Sequence, residues 1–221
     1  MKVFIGVGHG FSDPGAVANG VKEKDLNLSI ALACRDELKR HGVEVRLSRT
    51  KDENDPLSEE IKECNAFSPD LAVSIHNNAA NGKGDGAEVF HSHLGGKGKT
   101  LAENILAEIV KLGQNSRGLK VRKNSSGKDY YGFIRETSAP AVIVECAFVD
   151  NATDLKILAT ESDRQKVGRA IAKGILKTLG VELQGERLYR VQVGAYLLKS
   201  NAEDMQKKIK AVGFDAFIVK E

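Results

Sequence analysis

Long apolar runs are missing from this chain of 221 residues. None approaches the roughly 20 residues that a membrane-spanning helix requires, so no spanning segment is expected. The N-terminus lacks the charged, apolar and small-residue regions of a secretory leader, because an apolar strand pattern begins at residue 2. Synthesis in the cytoplasm without a signal peptide is the expectation. Cysteine is scarce. Cys34, Cys64 and Cys146 are odd in number and show no paired spacing, which argues against a disulfide framework. Cys34 and Cys64 fall on apolar positions of helical patterns and read as buried thiols. An excess of one charge is also missing: 33 lysines and arginines face 30 aspartates and glutamates, a net +3 with the basic residues scattered, so nucleic acid is not implied as a partner. What remains is 41% apolar and 29% charged, the mix of a folded globular protein with one good core and room for a small appendage.

Against that background one stretch stands out. Lys2-Val3-Phe4-Ile5-Gly6-Val7-Gly8-His9-Gly10 is an alternating apolar strand that stops at a histidine between two glycines. Leu71-Ala72-Val73-Ser74-Ile75-His76-Asn77-Asn78 repeats the pattern. Two strands thus deliver imidazoles to a sheet edge, where open α/β sheets place their chemistry.

Between and beyond these strands the chain reads as βα units. A loop over 11–20 precedes a helix with Leu26, Ile30, Ala33, Cys34 and Leu38 at helical spacing and a stop at His41-Gly42. Glu23 lies at its start, where an acidic residue suits the helix dipole. Val43 to Arg49 alternates as a strand, and Asp55-Pro56 opens a helix with Leu57, Ile61, Cys64 and Phe67 on its buried stripe. The Gly-rich run 81–86 is a turn before the strand Ala87–His91, because it lacks the GxxxxGK[ST] order of a phosphate loop and precedes no helix. A helix follows from about 97 to 112. Residues 114–132, polar and rich in Gly, Ser and Asn, suit either a substrate-side loop or a surface excursion.

Ala141 to Val149 is almost wholly apolar, as a central parallel strand would be, with Glu145 as the exception. A carboxylate inside such a run is costly unless it is paired or faces a polar cavity, which points to function. Helical stretches at about 151–159 and 162–180 close this part. The fold class is α/β: a mainly parallel twisted sheet of about six strands with helices on both faces, plus a small C-terminal βαβ unit. That unit combines a strand from Leu188 to Tyr196, a helix after Ser200-Asn201, and a strand from Phe214 to Val219.

Four blocks occur in a telling order: Gly8-His9-Gly10 with Asp13-Pro14-Gly15-Ala16, Lys22-Glu23-Lys24-Asp25-Leu26-Asn27-Leu28, Ser74-Ile75-His76-Asn77-Asn78-Ala79, and Pro140 to Glu145. Together they resemble the zinc-dependent N-acetylmuramoyl-L-alanine amidases of cell-wall lysis, over residues 2–180. The resemblance implies His9, Glu23 and His76 as ligands of one Zn2+ and Glu145 as the catalytic carboxylate. It also implies hydrolysis of the muramoyl-L-alanine amide of bacterial peptidoglycan by a zinc-activated water, in an endolysin or an autolysin that reaches the wall after release by lysis or a holin. Phe11 stands where many relatives carry glycine, and Cys146-Ala147 replaces the residues that often follow the glutamate. Asn78, Arg135 and Arg49 are candidate substrate contacts. His91 and His93 read as surface or rim residues. Nearby alternatives are a zinc peptidase acting on stem peptides and a non-catalytic wall-binding protein.

Past residue 180, residues 181–186 read as a linker. Residues 187–221, with Val191-Gln192-Val193-Gly194-Ala195, resemble the first half of a SPOR domain, a peptidoglycan-binding module. About 35 residues are too few for a core of their own, so the expectation is that the segment docks on the catalytic domain, pairs with a second copy into a homodimer, or belongs to a truncated chain.

Overall fold

A computed structural model describes residues 1–185 and 192–220. They divide into two units, Met1–Gln184 and Gly185–Glu221.

The first unit holds strands β1 (Lys2–Val7), β2 (Val17–Ala18), β3 (Val21–Lys22), β4 (Glu44–Leu47), β5 (Leu71–Asn78), β6 (Ala87–His91), β7 (Ser116–Lys120) and β8 (Ala141–Phe148). Its helices are α1 (Glu23–Arg40), α2 (Leu57–Phe67), α3 (Gly96–Val110), α4 (Gly132–Glu136) and α5 (Glu161–Leu179), with a 3-10 turn at Asp154–Leu158. Six strands form one sheet in the order β4-β1-β5-β8-β6-β7, while β2 and β3 pair as a small separate ribbon.

Helices cover both faces, which is why β1, β5 and β8 are almost continuously apolar. Val3, Ile5, Val73, Ile75, Val142 and Val144 pack on one face against α1, α3 and α5 through residues such as Ile30, Cys34, Ile105 and Ile171. Phe4, Ala72 and Ile143 point the other way, to Cys64 and Phe67 of α2 and Phe133 and Ile134 of α4. A capping box fixes the start of α5: the Thr160 hydroxyl accepts from the Asp163 N–H, and the Asp163 carboxylate accepts from the Thr160 N–H. All three cysteines are buried and free.

The sheet is parallel from β4 through β1 and β5 to β8. At β6 it reverses: β6 is antiparallel to β8 and parallel to β7. A parallel return needs a crossover of a dozen or more residues, and the loop between β5 and β6, residues 79–86, is shorter than that. It re-enters the sheet at the edge where β5 left it. The site edge therefore comprises the C-terminal ends of β1, β5 and β8 and the N-terminal ends of β6 and β7.

The structure differs from the sequence pattern in three places. The loop over 11–20 contains β2, one strand of the β2–β3 ribbon, followed by its turn. The 114–132 segment contains β7, which extends the sheet beyond β6. Its polar sequence hides the strand because β7 is an edge strand, paired on one side. The second unit carries a helix, α6 (Lys199–Ala211), but residues 192–196 and 214–220 are not strands, so the βαβ expectation fails there. A strand exists only through a ladder with a neighbour, and Phe214, Phe217 and Val219 are exposed with none among the described residues. The remainder of the expected first strand, 188–191, and Glu186 of the expected linker lie outside the described residues.

Candidate metal centre

Each site residue is placed by a different piece of local chemistry. Where β1 ends, the Gly8 N–H still donates to the Ile75 carbonyl at 3.1 Å. The chain then turns sharply, and His9 adopts φ 63°, a left-handed conformation uncommon for any residue but glycine. Gly10 and Asp13 exchange two backbone hydrogen bonds of 2.9 Å. That tight turn returns the Asp13 carboxylate to His9 Nδ1, at 2.7 Å. With Nδ1 engaged, His9 Nε2 faces Glu23 Oε2 at 3.2 Å.

Glu23 is the first residue of α1 and is 4% exposed. Its Oε2 accepts from the Ala16 N–H at 2.9 Å, and its Oε1 accepts from the Asn77 N–H at 3.1 Å and Asn27 Nδ2 at 3.2 Å. Asn27 in turn donates to the Gly8 carbonyl and accepts from Asn77 Nδ2, tying β1, β5 and α1 together behind the carboxylate. His76, near the end of β5, places Nδ1 3.1 Å from Glu23 Oε1. The two imidazoles meet edge to face with centroids 5.1 Å apart.

Two glycines permit this crowding. A Cβ on Gly8 would lie 2.2 Å from His76 Cε1, and one on Gly15 would lie 2.6 Å from both Glu23 Oε2 and His9 Cδ2. Both positions require the absence of a side chain.

The electrostatics follow. Hydrogen bonding to Glu23, against the opposing cost of burial, raises His9 to about 9, with further support from Asp13. Burial disfavours a charged His76, but the Glu23 hydrogen bond and the Glu145 and Glu23 charges outweigh it and raise its pKa. Burial likewise works against ionised Glu23, and the hydrogen bonds from His76 and His9 overcome it and hold the carboxyl far below its usual range. Both shifts favour the protonated imidazole beside an ionised carboxylate, which is how a cation site appears with protons in the cation's place.

The residues fit a zinc ion. Ligand atoms of His9, Glu23 and His76 all lie within 4.8 Å of one another, and no other group of three His, Cys, Asp or Glu gathers this way among the described residues. Two imidazoles and one carboxylate are the donor set of catalytic zinc sites with three protein ligands.

Glu145 stands outside that triad. It pairs in register with His76 across β5–β8 and with Glu88 across β6–β8, so the three side chains share one face of the sheet. Its Oε2 is buried and has no hydrogen-bond partner among the described residues. Burial pushes its carboxyl up to about 7; the His76 charge opposes the shift, and Glu23 and Glu88 add to it.

The other candidates land elsewhere. Arg49 is 2% exposed and donates to the carbonyls of Val7, Gly8, Lys24 and Lys51. Its expected substrate contact is corrected on that ground: it staples the His9 turn to α1. Arg135 donates to the carbonyls of Asp129 and Tyr130 and to Glu136, organising the loop before α4. Asn78 lies at the site edge, its Nδ2 3.2 Å from Glu88 Oε1. His91 is buried rather than on the rim, with Nδ1 2.8 Å from the Ser92 carbonyl, and His93 pairs with Asp129 at 2.9 Å. Asp13, Asn27, Asn77 and Glu88 also join the site, beyond the residues expected from the sequence. Asn27 is one turn beyond Glu23 on the same helical face, a detectable signal; Glu88 carries none, because its partner strand is 50 or more residues away in the sequence.

A twisted α/β sheet with two imidazoles and a carboxylate gathered at its edge, and a second carboxylate held apart from them, defines a candidate metallohydrolase. Residues 3–177 match the family model for N-acetylmuramoyl-L-alanine amidases, Amidase_3. The chain belongs to this N-acetylmuramoyl-L-alanine amidase family. Residues 164–220 match the SPOR domain model, a match that starts within α5, ahead of the expected boundary at 187. The chain is 34% identical to the N-acetylmuramoyl-L-alanine amidase CwlM of Bacillus licheniformis, covering 99% of this chain and 85% of that one. It is 33% identical to the sporulation-specific N-acetylmuramoyl-L-alanine amidase of Bacillus subtilis, over 99% of this chain and 84% of that one. Among solved structures, the amidase AmiC2 of Nostoc punctiforme superposes with a TM-score of 0.74 at 30% identity, over 81% of this chain and 97% of that one. Among the described residues no helix is long and apolar enough to cross a membrane.

Proposed function

We propose that the protein hydrolyses the amide joining N-acetylmuramic acid to L-alanine in peptidoglycan, with His9, Glu23 and His76 holding one zinc ion and Glu145 transferring the proton. Zinc bound there would supply Lewis-acid polarisation of the scissile carbonyl and a lowered pKa for water. The chain's own residues supply the rest. Asp13 on His9 Nδ1 keeps that ring's Nε2 turned inward, and the Asn27–Asn77 pair and the Ala16 N–H keep the Glu23 carboxylate in place.

Glu145 carries the proton economy. An amide nitrogen is a poor leaving group, so the reaction needs a base for the attacking water and an acid for the departing amine. A carboxyl whose pKa lies at about 7 exchanges protons in both directions at neutral pH. Its unpartnered Oε2 is the observation that carries this reading: a buried carboxylate oxygen left open beside the triad.

Wall attachment and self-association through the C-terminal segment belong to the same proposal; the SPOR match supports the first. Incubation of the zinc-loaded protein with purified walls should release L-alanine amino termini without new reducing sugar ends, and a chelator should abolish release until zinc is restored. Glu145→Gln should bind one zinc per chain yet lose turnover by about 10²-fold or more. New amino termini on stem-peptide residues other than L-alanine would replace the amidase with a peptidase.

A further inference from the structure

The face that carries His76 and Glu145 continues past Glu145. One strand further on, Glu88 is buried, and its Oε1 accepts from Asn78 Nδ2 at 3.2 Å. Its Oε2 accepts from Arg117 Nε at 2.9 Å and lies 3.9 Å from Lys120 Nζ, both on β7. Two cations thus share one carboxylate, which leaves a surplus positive charge two strands from Glu145. Among the described residues Arg117 Nη2 has no hydrogen-bond partner, and Lys120 Nζ has only the distant ion pair. Arg117 and Lys120 are about one-third exposed; Arg117 lies near the N-terminal end of β7 at the site edge, and Lys120, at the other end of β7, directs its Nζ back toward Glu88.

The surrounding sequence has the same sign. Residues 116–128 hold Arg117, Lys120, Arg122, Lys123 and Lys128 and no acidic residue, more positive charge than the +3 of the whole chain. Of these, Arg117 and Lys120 are the two whose head groups lie beside Glu88. Phe148 seats Arg117 and Tyr130 seats Arg122, with guanidinium carbons 4.9 and 3.7 Å from the ring centroids.

The substrate chemistry selects what Arg117 and Lys120 would meet. The muramoyl carboxyl is consumed in the scissile amide, which leaves the sugar side of that bond without a carboxylate. The peptide side carries them, the first on the glutamate that follows L-alanine. Two extended residues span about 7 Å from a scissile carbon at the triad, against roughly 10 Å for the two strand spacings from His76 to Glu88, beside which both cationic head groups lie, so that carboxylate and these cations are within reach of one another.

We propose that Arg117 and Lys120, held by Glu88, form the subsite for the free carboxylate of the second stem-peptide residue, and that the leaving peptide runs over β6 and β7. The proposal rests on the amidase reading above. It makes the enzyme selective for a stem whose second residue is an acid rather than its carboxamide.

The test uses two soluble N-acetylmuramoyl tripeptides that differ only in a carboxylate or a carboxamide on the glutamate after L-alanine, with the zinc-loaded full chain. The wild type should show a KM about tenfold lower for the acid at similar kcat, the effect of one charge-assisted hydrogen bond. Lys120→Gln should raise KM for the acid and leave the amide unchanged, and Lys120→Arg should restore most of the preference. Equal KM for acid and amide in the wild type would overturn the subsite and leave the amidase intact. So would a Lys120→Gln loss that is equal for both substrates. Cleavage of neither substrate would remove the amidase reading and this inference with it.

Discussion

Replacing Gly8 by alanine tests whether the fold, and not the ligand set alone, makes the site. Gly8 does not need a left-handed backbone, so alanine is locally allowed. The new Cβ would sit 2.2 Å from His76 Cε1, 2.4 Å from Nε2 and 2.5 Å from Nδ1. Ordinary contact begins near 3.4 Å, so the ring must retreat by about 1 Å or the β1–β5 pair must part. The strands are pinned by their parallel ladder and by the Gly8 N–H bond to Ile75, so the ring yields. His76 Nδ1 then withdraws from Glu23, and Gly8→Ala should weaken zinc binding by about 10- to 100-fold, the usual cost of a misoriented ligand. Turnover at saturating zinc should fall by about 10²-fold for a displacement of this size. Competition against a chromophoric chelator gives the affinity, and thermal unfolding of the metal-free protein tells local displacement from global damage. Wild-type zinc affinity together with wild-type turnover in a folded Gly8→Ala variant would refute the account of how His76 is seated.

Glu60 is 6% exposed, its Oε1 has no partner among the described residues, and burial, with Asp55 adding, pushes its pKa up to about 7. A raised folded-state pKa gives stability that is present below the ordinary value of 4.5 and lost as pH rises through 7, so Glu60→Gln should be more stable than wild type at pH 8. Urea titrations should show a gain of up to about 3 kcal/mol there, shrinking to nothing by about pH 4. Asp13→Asn should lower zinc affinity about tenfold in equilibrium dialysis, because it weakens the partner that orients His9. Thr160→Ala removes the α5 capping box and should cost about 1 kcal/mol by denaturant unfolding without changing zinc content.

Much of the site edge was legible because it is written in local patterns. Apolar alternation that ends in His9 and His76 places both at strand exits, and Glu145 is conspicuous as a charge inside an apolar run. Glu23 needed its sequence context, since an acid at a helix start is ordinary. Hidden were the features that depend on remote pairing. β7 is a polar edge strand whose identity comes from β6, and Arg49 is a buried staple because four carbonyls from separate segments converge on it.

The sequence by itself determined which segments are strands and helices over most of the first unit, and which side chains sit where β1, β5 and β8 present their ends. Both follow from periodicities of two and 3.6, which are local properties of the chain. Tertiary structure alone decided that β8 lies between β5 and β6, so that His76, Glu145 and Glu88 fall in one row with Arg117 and Lys120 beyond them. Strand order is a matter of which surfaces bury one another, and no short window of residues records it.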